Sequence, residues 1–224
     1  MAYRRTPFAP GEWYHCYSRG VDKRKVFETR QDYERFLQAL YLSNDKEPTQ
    51  RSNFQKHPHE AILAQLRNEP LVAVGAYCLM SNHFHLLLQE TVGGGITKFM
   101  HKLGTSYTMY FNNKRGRVGN LFVKPFRSKH VGDERYLKRI VQYIHLNPIE
   151  LFERGWKQGR VESVRVLKER LQTYRYSSLF DYGTQERAEK NILDREAVSF
   201  LKEDSSISEK LLAEAAAYYM ELRY

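Results

Sequence analysis

Two histidines one residue apart, His83 and His85, open the apolar run that continues to Leu88. The run predicts a β-strand, and side chains alternate between the two faces of a strand. Both imidazoles therefore leave on one face, while Phe84 and Leu86 leave on the other. Imidazole is the commonest protein ligand of metal ions near neutral pH. The pair predicts two-thirds of a metal site, on a strand face that is available for chemistry.

Two further residues are candidates to complete this site, Tyr143 and Asn147 on a predicted helix that ends at Pro148. They are four positions apart and so share a helix face. Asn147 has a carbonyl oxygen for the metal, and Tyr143 has a phenol that can act as a covalent nucleophile. Because Asn147 precedes a proline, we expect it to lie outside regular helix geometry, which weakens the argument from spacing.

This set of side chains suits chemistry on a phosphodiester. A metal ion polarises the scissile phosphate and offsets the negative charge that develops on it. A phosphotyrosine ester retains the energy of the broken bond, so that the strand can later be rejoined without ATP. Two imidazoles and an amide oxygen suit Mg²⁺ or Mn²⁺, although ligand softness alone favours Mn²⁺ or Zn²⁺ over Mg²⁺.

Each feature also has a purely structural interpretation. Histidines have many roles, and His57 and His59 repeat the same spacing in a polar segment that we interpret as a loop. A buried tyrosine on a helix usually packs in the core. Spacing alone therefore leaves both the metal-site and the packing interpretations open.

The composition favours a cytoplasmic protein that binds an anionic partner. The chain has 224 residues, of which 42% are hydrophobic, with a formal net charge of +10, and its pI is about 9.5. A basic balance of this size favours nucleic acid as the partner.

Cys16 and Cys78 lie in apolar stretches and are expected to be buried, reduced thiols. The first residues have no signal-peptide pattern, and no apolar run is long enough to span a membrane.

Periodicity predicts an α+β protein. Strands are expected near residues 13–18, 71–80 and 83–89 and within 121–131. A helix capped by Thr29 and Asp32 is expected after the first strand, and long helices are expected over 96–111 and, capped by Asp133, over 134–147. This order is typical of the ferredoxin-like split βαβ fold, an antiparallel sheet with helices on one face. We expect one domain over residues 1–180 with an insertion at about 43–70. Residues 181–224 then form a C-terminal helical appendage, with helices near 195–202 and 207–222.

Four segments resemble the tyrosine transposases of the His-hydrophobic-His superfamily. They are Tyr14–Arg24, Tyr77–Leu87, Gly119–Phe122 and Tyr143–Pro148. The resemblance is to the IS200-like group, especially its single-domain members associated with repetitive extragenic palindromes, and it covers about residues 13–180. Ser18 stands where asparagine is frequent in the family, and the insertion is longer than expected.

The resemblance implies cleavage of single-stranded DNA by Tyr143, with a 5′-phosphotyrosine intermediate and a free 3′-hydroxyl. It implies that His83, His85 and Asn147 ligate Mg²⁺ or Mn²⁺, and that the substrate carries a DNA hairpin. Family members act as monomers or as homodimers. Two alternatives stay open: a protein that binds hairpin nucleic acid without cutting it, and a hydrolytic metallonuclease in which a metal-bound water attacks.

Basic residues cluster after the first strand and around the fourth. Such clusters hold phosphates and carry little sequence information, and the neighbouring aromatic residues Phe122 and Phe126 are candidates to stack on bases. The predicted DNA-binding residues are Arg19, Lys23, Arg24, Lys25, Lys114, Arg115, Arg117, Lys124, Arg127 and Lys129.

Overall fold

The computed structural model describes residues 7–47, 51–54, 56–153, 155–158, 163–183, 186–201 and 209–222. The strands are β1 (Trp13–Arg19), β2 (Val72–Met80), β3 (His83–Glu90) and β4 (Arg127–Val131). The α-helices are α1 (Arg30–Leu42), α2 (His59–Leu63), α3 (Gly95–Arg115), α4 (Glu134–Leu146), α5 (Ile149–Phe152), α6 (Val164–Thr173), α7 (Arg195–Leu201) and α8 (Glu209–Leu222). Short 3₁₀ segments cover Val21–Lys23, Arg51–Phe54, Trp156–Gln158, Ser178–Tyr182 and Ala188–Ile192.

The four strands form one antiparallel sheet in the order β2-β3-β1-β4. Helix α1 connects β1 to β2, and α3 connects β3 to β4. Strand β3 lies between β1 and β2, which is the split βαβ arrangement. The predicted α+β, ferredoxin-like fold class is therefore confirmed.

Helices pack on both faces of this sheet. On the first face, Phe84, Leu86 and Leu88 of β3 pack with the buried side chains of α1 and α3. On the second face, Leu87 packs with Ile140 and Ile144 of α4. The second face is the one that carries the histidine pair, and α4 packs over it.

Both predicted helix caps are present. At α1, the Thr29 hydroxyl accepts from the backbone N–H of Asp32 over 3.3 Å, and the Asp32 carboxylate accepts from the backbone N–H of Thr29 over 2.9 Å. This reciprocal pair is a capping box. At α4, the Asp133 carboxylate accepts from the backbone N–H of Tyr136 over 2.8 Å. The caps fix where both helices begin.

Two elements differ in length from the prediction. Helix α3 continues to Arg115, beyond the predicted end at residue 111. It ends where Gly116 adopts a left-handed conformation with φ of 58°. Strand β4 covers only its last five predicted residues, 127–131. Leu121 and Phe122 are consecutive and both are buried in the first core, which does not fit the alternation of a half-buried strand.

The C-terminal segment packs back on the sheet and on α4. The backbone N–H of Asp194 donates to the carbonyl of Val74 in β2 over 2.9 Å, and Arg139 of α4 forms an ion pair with Glu214 of α8. Helices α7 and α8 match the two predicted helices, although the expected boundary positions 202, 207 and 208 lie outside the described residues, as do residues 1–6. A domain boundary near residue 180 stays a prediction.

Two further predictions from composition concern the thiols and the membrane. Cys16 and Cys78 are both buried and free, as expected. Burial raises the pKa of the Cys78 thiol. Within the described ranges, no helix has the length and apolar character needed to cross a bilayer.

Candidate active site

The second face of the sheet gathers side chains from β1 and β3. The antiparallel register pairs Tyr17 with His85 and Arg19 with His83. Directly opposed residues in an antiparallel pair project from the same face, and alternation adds His15. The face beneath α4 therefore carries three polar or aromatic side chains of β1 beside the two predicted metal ligands.

His83 and His85 lie side by side on this face, as predicted. Their ring centroids are 5.1 Å apart, and the two side chains are 6% and 0% exposed. Nδ1 of His83 lies 2.6 Å from the side-chain oxygen of Asn82, so that Nδ1 is the donor and carries the hydrogen. In the neutral ring, Nε2 then has the lone pair that a metal ion requires.

His15 forms a buried hydrogen bond with the second ligand. Its Nε2 lies 2.9 Å from Nδ1 of His85, and its Nδ1 lies 3.0 Å from the hydroxyl of Tyr218 on α8. Burial, together with the smaller effect of the Lys129 charge, lowers the pKa of His15 to about 3. The His15 ring is therefore neutral near pH 7, and it can donate through one nitrogen and accept through the other.

Tyr143 projects from α4 onto this cluster. Its ring meets those of His85 and His15 edge to face, with centroid distances of 5.5 and 5.7 Å. The ring of Tyr218 packs over that of Tyr143, with their centroids 4.7 Å apart. The Tyr143 side chain is only 1% exposed. Tyr143 also lines a cleft of about 190 Å³ between α4 and α8, with Tyr136 and Tyr218. The predicted nucleophile thus contacts a predicted metal ligand from a different element.

Asn147 keeps helical geometry, contrary to the expectation from the proline that follows it. Its φ and ψ are −51° and −38°. The side-chain amide Nδ2 donates to the backbone carbonyl of Tyr143 over 2.9 Å. The backbone N–H of Asn147 instead donates to the carbonyl of Ile144, in a longer hydrogen bond of 3.4 Å. The side chain thus supplies the bond that a regular helix would make through its backbone. The spacing argument that placed Asn147 beside Tyr143 therefore holds.

The donor set fits a cation that accepts nitrogen and oxygen ligands. Asn147 Oδ1 is buried, and within the described part of the chain no donor bonds to it. A buried amide oxygen of this kind costs free energy unless a cation, a water molecule or another donor satisfies it. The described residues hold no cluster of three His, Cys, Asp or Glu side chains with metal-site geometry. A site here depends on two imidazoles and one amide.

His83 also lines a separate cavity of about 150 Å³, together with Arg19 and Glu150. This cavity lies on the side of His83 where α5 begins. The structure therefore brings together His83 with His85, His85 with Tyr143, and Tyr143 with Asn147. It also places a cation and a carboxylate beside His83.

Comparison with known proteins identifies the family. The family model described as "Transposase IS200 like" matches residues 13–147, which include all four residues of the predicted site. The chain belongs to the IS200-like transposase family. No curated protein matches the chain. Among solved structures, one titled "Structure of the REP associates tyrosine transposase bound to a REP hairpin" is similar at 14% sequence identity, with a TM-score of 0.49. That match covers 80% of this chain and 84% of the other.

Three predicted DNA-binding residues of this transposase lie at the site. Arg19 lines the cavity at His83, and Arg127 and Lys129 are opposite Tyr17 and His15 in the register of β4 with β1. The Lys129 ammonium lies 4.9 Å from the centroid of the Tyr218 ring. These three cations raise the positive potential around the candidate active site.

Four more lie on two joined loops at one end of the sheet. The backbone N–H of Val21 donates to the carbonyl of Leu121, which joins the loop after β1 to the loop before β4. Lys23, Lys25 and Lys124 are exposed on these loops, while Arg24 is half-buried and pairs with Asp22 over 3.1 Å. Phe122, which was a candidate to stack on bases, is 7% exposed and packs against Phe84 in the core.

The last three are engaged elsewhere in the transposase fold. Lys114 donates to the buried carboxylate of Asp32 over 2.7 Å, Arg115 pairs with Glu28, and Arg117 donates to Asn112 over 2.5 Å. Burial alone would raise the pKa of Asp32, but hydrogen bonds from Lys114 and from the α1 cap lower it to about 2. Lys114 and Arg115 thus stabilise the junction of α1 and α3, and their contact with DNA stays a prediction.

Sequence reasoning missed His15 and Tyr218 at this site, and Glu150 in the separate cavity at His83. The alternation of β1 was a usable signal for His15, because the same period-2 pattern places His15, Tyr17 and Arg19 on one face. No local pattern relates Tyr218 to a histidine 203 residues earlier in the chain.

Proposed function

We propose that this transposase cleaves single-stranded DNA by attack of the Tyr143 phenol on a phosphodiester, with His83, His85 and Asn147 holding a divalent cation. The observation that carries the proposal is the edge-to-face contact of Tyr143 with His85, whose ring centroids are 5.5 Å apart. A nucleophile and a metal ligand in contact can act on the same phosphate group.

In the proposed step, the Tyr143 oxygen bonds to phosphorus and the bond from phosphorus to the 3′ oxygen breaks. The phenol loses its proton and the departing 3′ oxygen gains one. The products are a 5′-phosphotyrosine linkage and a strand with a free 3′-hydroxyl. Attack of a 3′-hydroxyl on the phosphotyrosine reverses the step and joins strands, which is the chemistry that transposition needs.

The proposed ligands are Nε2 of His83, Nε2 of His85 and Oδ1 of Asn147. Mg²⁺ or Mn²⁺ bound there would polarise the scissile phosphate and offset its developing charge. Asn147 has a second role, because its amide Nδ2 holds the backbone carbonyl of Tyr143 over 2.9 Å and so fixes the end of α4 that carries the nucleophile.

The proposed substrate is single-stranded DNA that contains a hairpin, in keeping with the family resemblance and the net charge of +10. Arg19, Arg127 and Lys129 would hold phosphates at the site. The exposed lysines on the loops after β1 and before β4 would hold phosphates at that end of the sheet. The monomeric or homodimeric state and the cytoplasmic location stay predictions.

The cover over Tyr143 favours a second candidate function. At 1% exposure beneath Tyr218, the phenol cannot reach a phosphate until part of α8 moves. A protein that binds hairpin DNA without cutting it would need no such movement. The two candidates differ in whether a covalent adduct ever forms.

The test is incubation of the purified full chain with labelled single-stranded oligonucleotides from the DNA flanking its own gene, in Mn²⁺ or Mg²⁺. The expected result is a protein–DNA adduct that survives denaturing electrophoresis, with the DNA mapped to Tyr143 by mass spectrometry. Tyr143→Phe should form no adduct. Tyr136→Phe, a matched change two turns earlier on α4, should form as much adduct as the unmodified protein.

Three other results would contradict the proposal. Adduct formation by Tyr143→Phe would mean that another residue is the nucleophile. Cleavage to a free 5′-phosphate with no adduct at any time would indicate attack by water. Salt-sensitive binding without cleavage in any divalent metal would support the binding protein.

A further inference from the structure

Both proposed imidazole ligands have the same nitrogen engaged by the protein. Nδ1 of His83 bonds to the side chain of Asn82 over 2.6 Å, and Nδ1 of His85 bonds to Nε2 of His15 over 2.9 Å. When Nδ1 carries the hydrogen, Nε2 is the nitrogen with a lone pair for a cation. The partner of each Nδ1 therefore decides whether the ring can ligate.

The two partners, Asn82 and His15, differ in whether they fix the position of the ring hydrogen. An amide oxygen only accepts, so Asn82 places the hydrogen on Nδ1 of His83. A neutral imidazole either donates or accepts, so the bond between His15 and His85 has two possible directions. If His15 donates, the hydrogen of His85 moves to Nε2 and His85 cannot bind a metal. If His15 accepts, the hydrogen of His85 is on Nδ1 and Nε2 carries the lone pair that a metal ion requires.

Tyr218 is placed to complete the direction that ligation by His85 requires. Its hydroxyl lies 3.0 Å from Nδ1 of His15, on the opposite side of the ring from His85. A hydroxyl can either donate or accept, so it fits both directions. Ligation through Nε2 of His85 requires the hydrogen on Nδ1 of His85, so that His15 accepts through Nε2 and Tyr218 accepts the Nδ1 hydrogen of His15. The His15 and His85 side chains are 0% exposed, so that water does not compete for these bonds.

We infer that His15 is a positioning residue for the metal site. It accepts the Nδ1 hydrogen of His85 and so keeps the lone pair of the His85 ring on Nε2, the nitrogen proposed to bind the cation. The inference rests on the proposed function, because it deepens the role of the same site. Hydrogen-bond partners of metal-ligating histidines fix both the tautomer and the orientation of the ring, and losing one commonly weakens metal binding by about 10–100-fold.

The first measurement is Mn²⁺ affinity, by electron paramagnetic resonance or calorimetry on the full chain without DNA. His15→Ala should bind Mn²⁺ about 10–100-fold more weakly. His15→Gln should recover most of the affinity, because its amide oxygen can accept from Nδ1 of His85. The matched control is His130→Ala on β4, where the ring is exposed and bonds to Glu12, and it should bind Mn²⁺ as the unmodified protein does.

The second measurement is the tautomer of His85 in the metal-free, unmodified protein, by ¹⁵N-histidine nuclear magnetic resonance. The expected state has the hydrogen on Nδ1, and a hydrogen on Nε2 would overturn the inference. Unmodified affinity in a folded His15→Ala protein would overturn it as well. If the unmodified protein binds no Mn²⁺, the proposed metal site itself fails, and the tautomer still tests His15 separately.

Discussion

The side-chain amide of Asn147 donates to the backbone carbonyl of Tyr143 over 2.9 Å. This bond joins the predicted nucleophile to the predicted third ligand, and it allows Asn147 to keep helical dihedral angles before a proline. It also orients the amide so that Nδ2 faces the helix and Oδ1 is the atom that can meet a cation. One side chain thus stabilises the helix end through its nitrogen, and its oxygen is the atom proposed to bind the metal.

Substitutions at Asn147 separate these two roles. Both Asn147→Ala and Asn147→Asp remove the donor to the Tyr143 carbonyl, but only the aspartate keeps an oxygen for the metal. We expect Asn147→Ala to lose most Mn²⁺ binding and Asn147→Asp to bind at least as tightly as the unmodified protein, because a carboxylate is a stronger ligand for a hard cation. Calorimetric titration with Mn²⁺ measures both. Equal losses in the two variants would remove Oδ1 from the ligand set.

Removal of the metal should abolish adduct formation reversibly. Chelation with EDTA is expected to stop the reaction with DNA, and added Mn²⁺ should restore it. His83→Ala should bind Mn²⁺ much more weakly and form little adduct. His57→Ala provides a matched control, since His57 belongs to the other His-x-His sequence of this chain and is exposed. If His83→Ala responds to Mn²⁺ as His57→Ala does, His83 has no role in metal binding.

Cations at the site should contribute to DNA binding through charge alone. Arg19→Ala is expected to weaken binding about equally for different DNA sequences and to reduce the salt dependence of log K by about 0.7, the value for one phosphate contact on a single strand. Fluorescence anisotropy across a salt series measures both quantities. The control is Arg165→Ala on α6, which removes an exposed cation that is not among the predicted DNA-binding residues. It should leave the salt dependence of log K unchanged. A sequence-dependent loss at Arg19 would instead indicate base contact.

Asp32 should make stability depend on pH in the acid range. Its pKa is about 2 in the folded protein, below the usual value of 3.8, so its stabilising contribution is complete above pH 3.8 and is lost as pH falls towards 2. The shift corresponds to about 2 kcal/mol. Comparison of the unfolding free energies of the unmodified protein and Asp32→Asn, by urea denaturation from pH 5 to 2, should show a gap that narrows with acid. A constant gap would mean that the ionised form of Asp32 is not favoured by folding.

Local patterns were sufficient for most elements of the fold. The alternation of β3 placed His83 and His85 on the face opposite Phe84 and Leu86, because the period of a strand depends only on its backbone. The caps at Thr29 and Asp133 were readable for the same reason, since each acts within one helical turn. The end of α3 was missed because the apolar stripe stops at Phe111, whereas the helix ends at the left-handed Gly116.

The sequence by itself determined the residue types of the candidate site and the faces from which they project. Only the tertiary structure decided that α4 crosses the histidine face, that His15 bonds to His85 from 70 residues away, and that Tyr218 of α8 covers Tyr143. These relationships depend on which strands pair and which helix packs over them. Side-chain periodicity specifies a face but not the element that covers it, so the partners of His85 follow from packing over the whole chain.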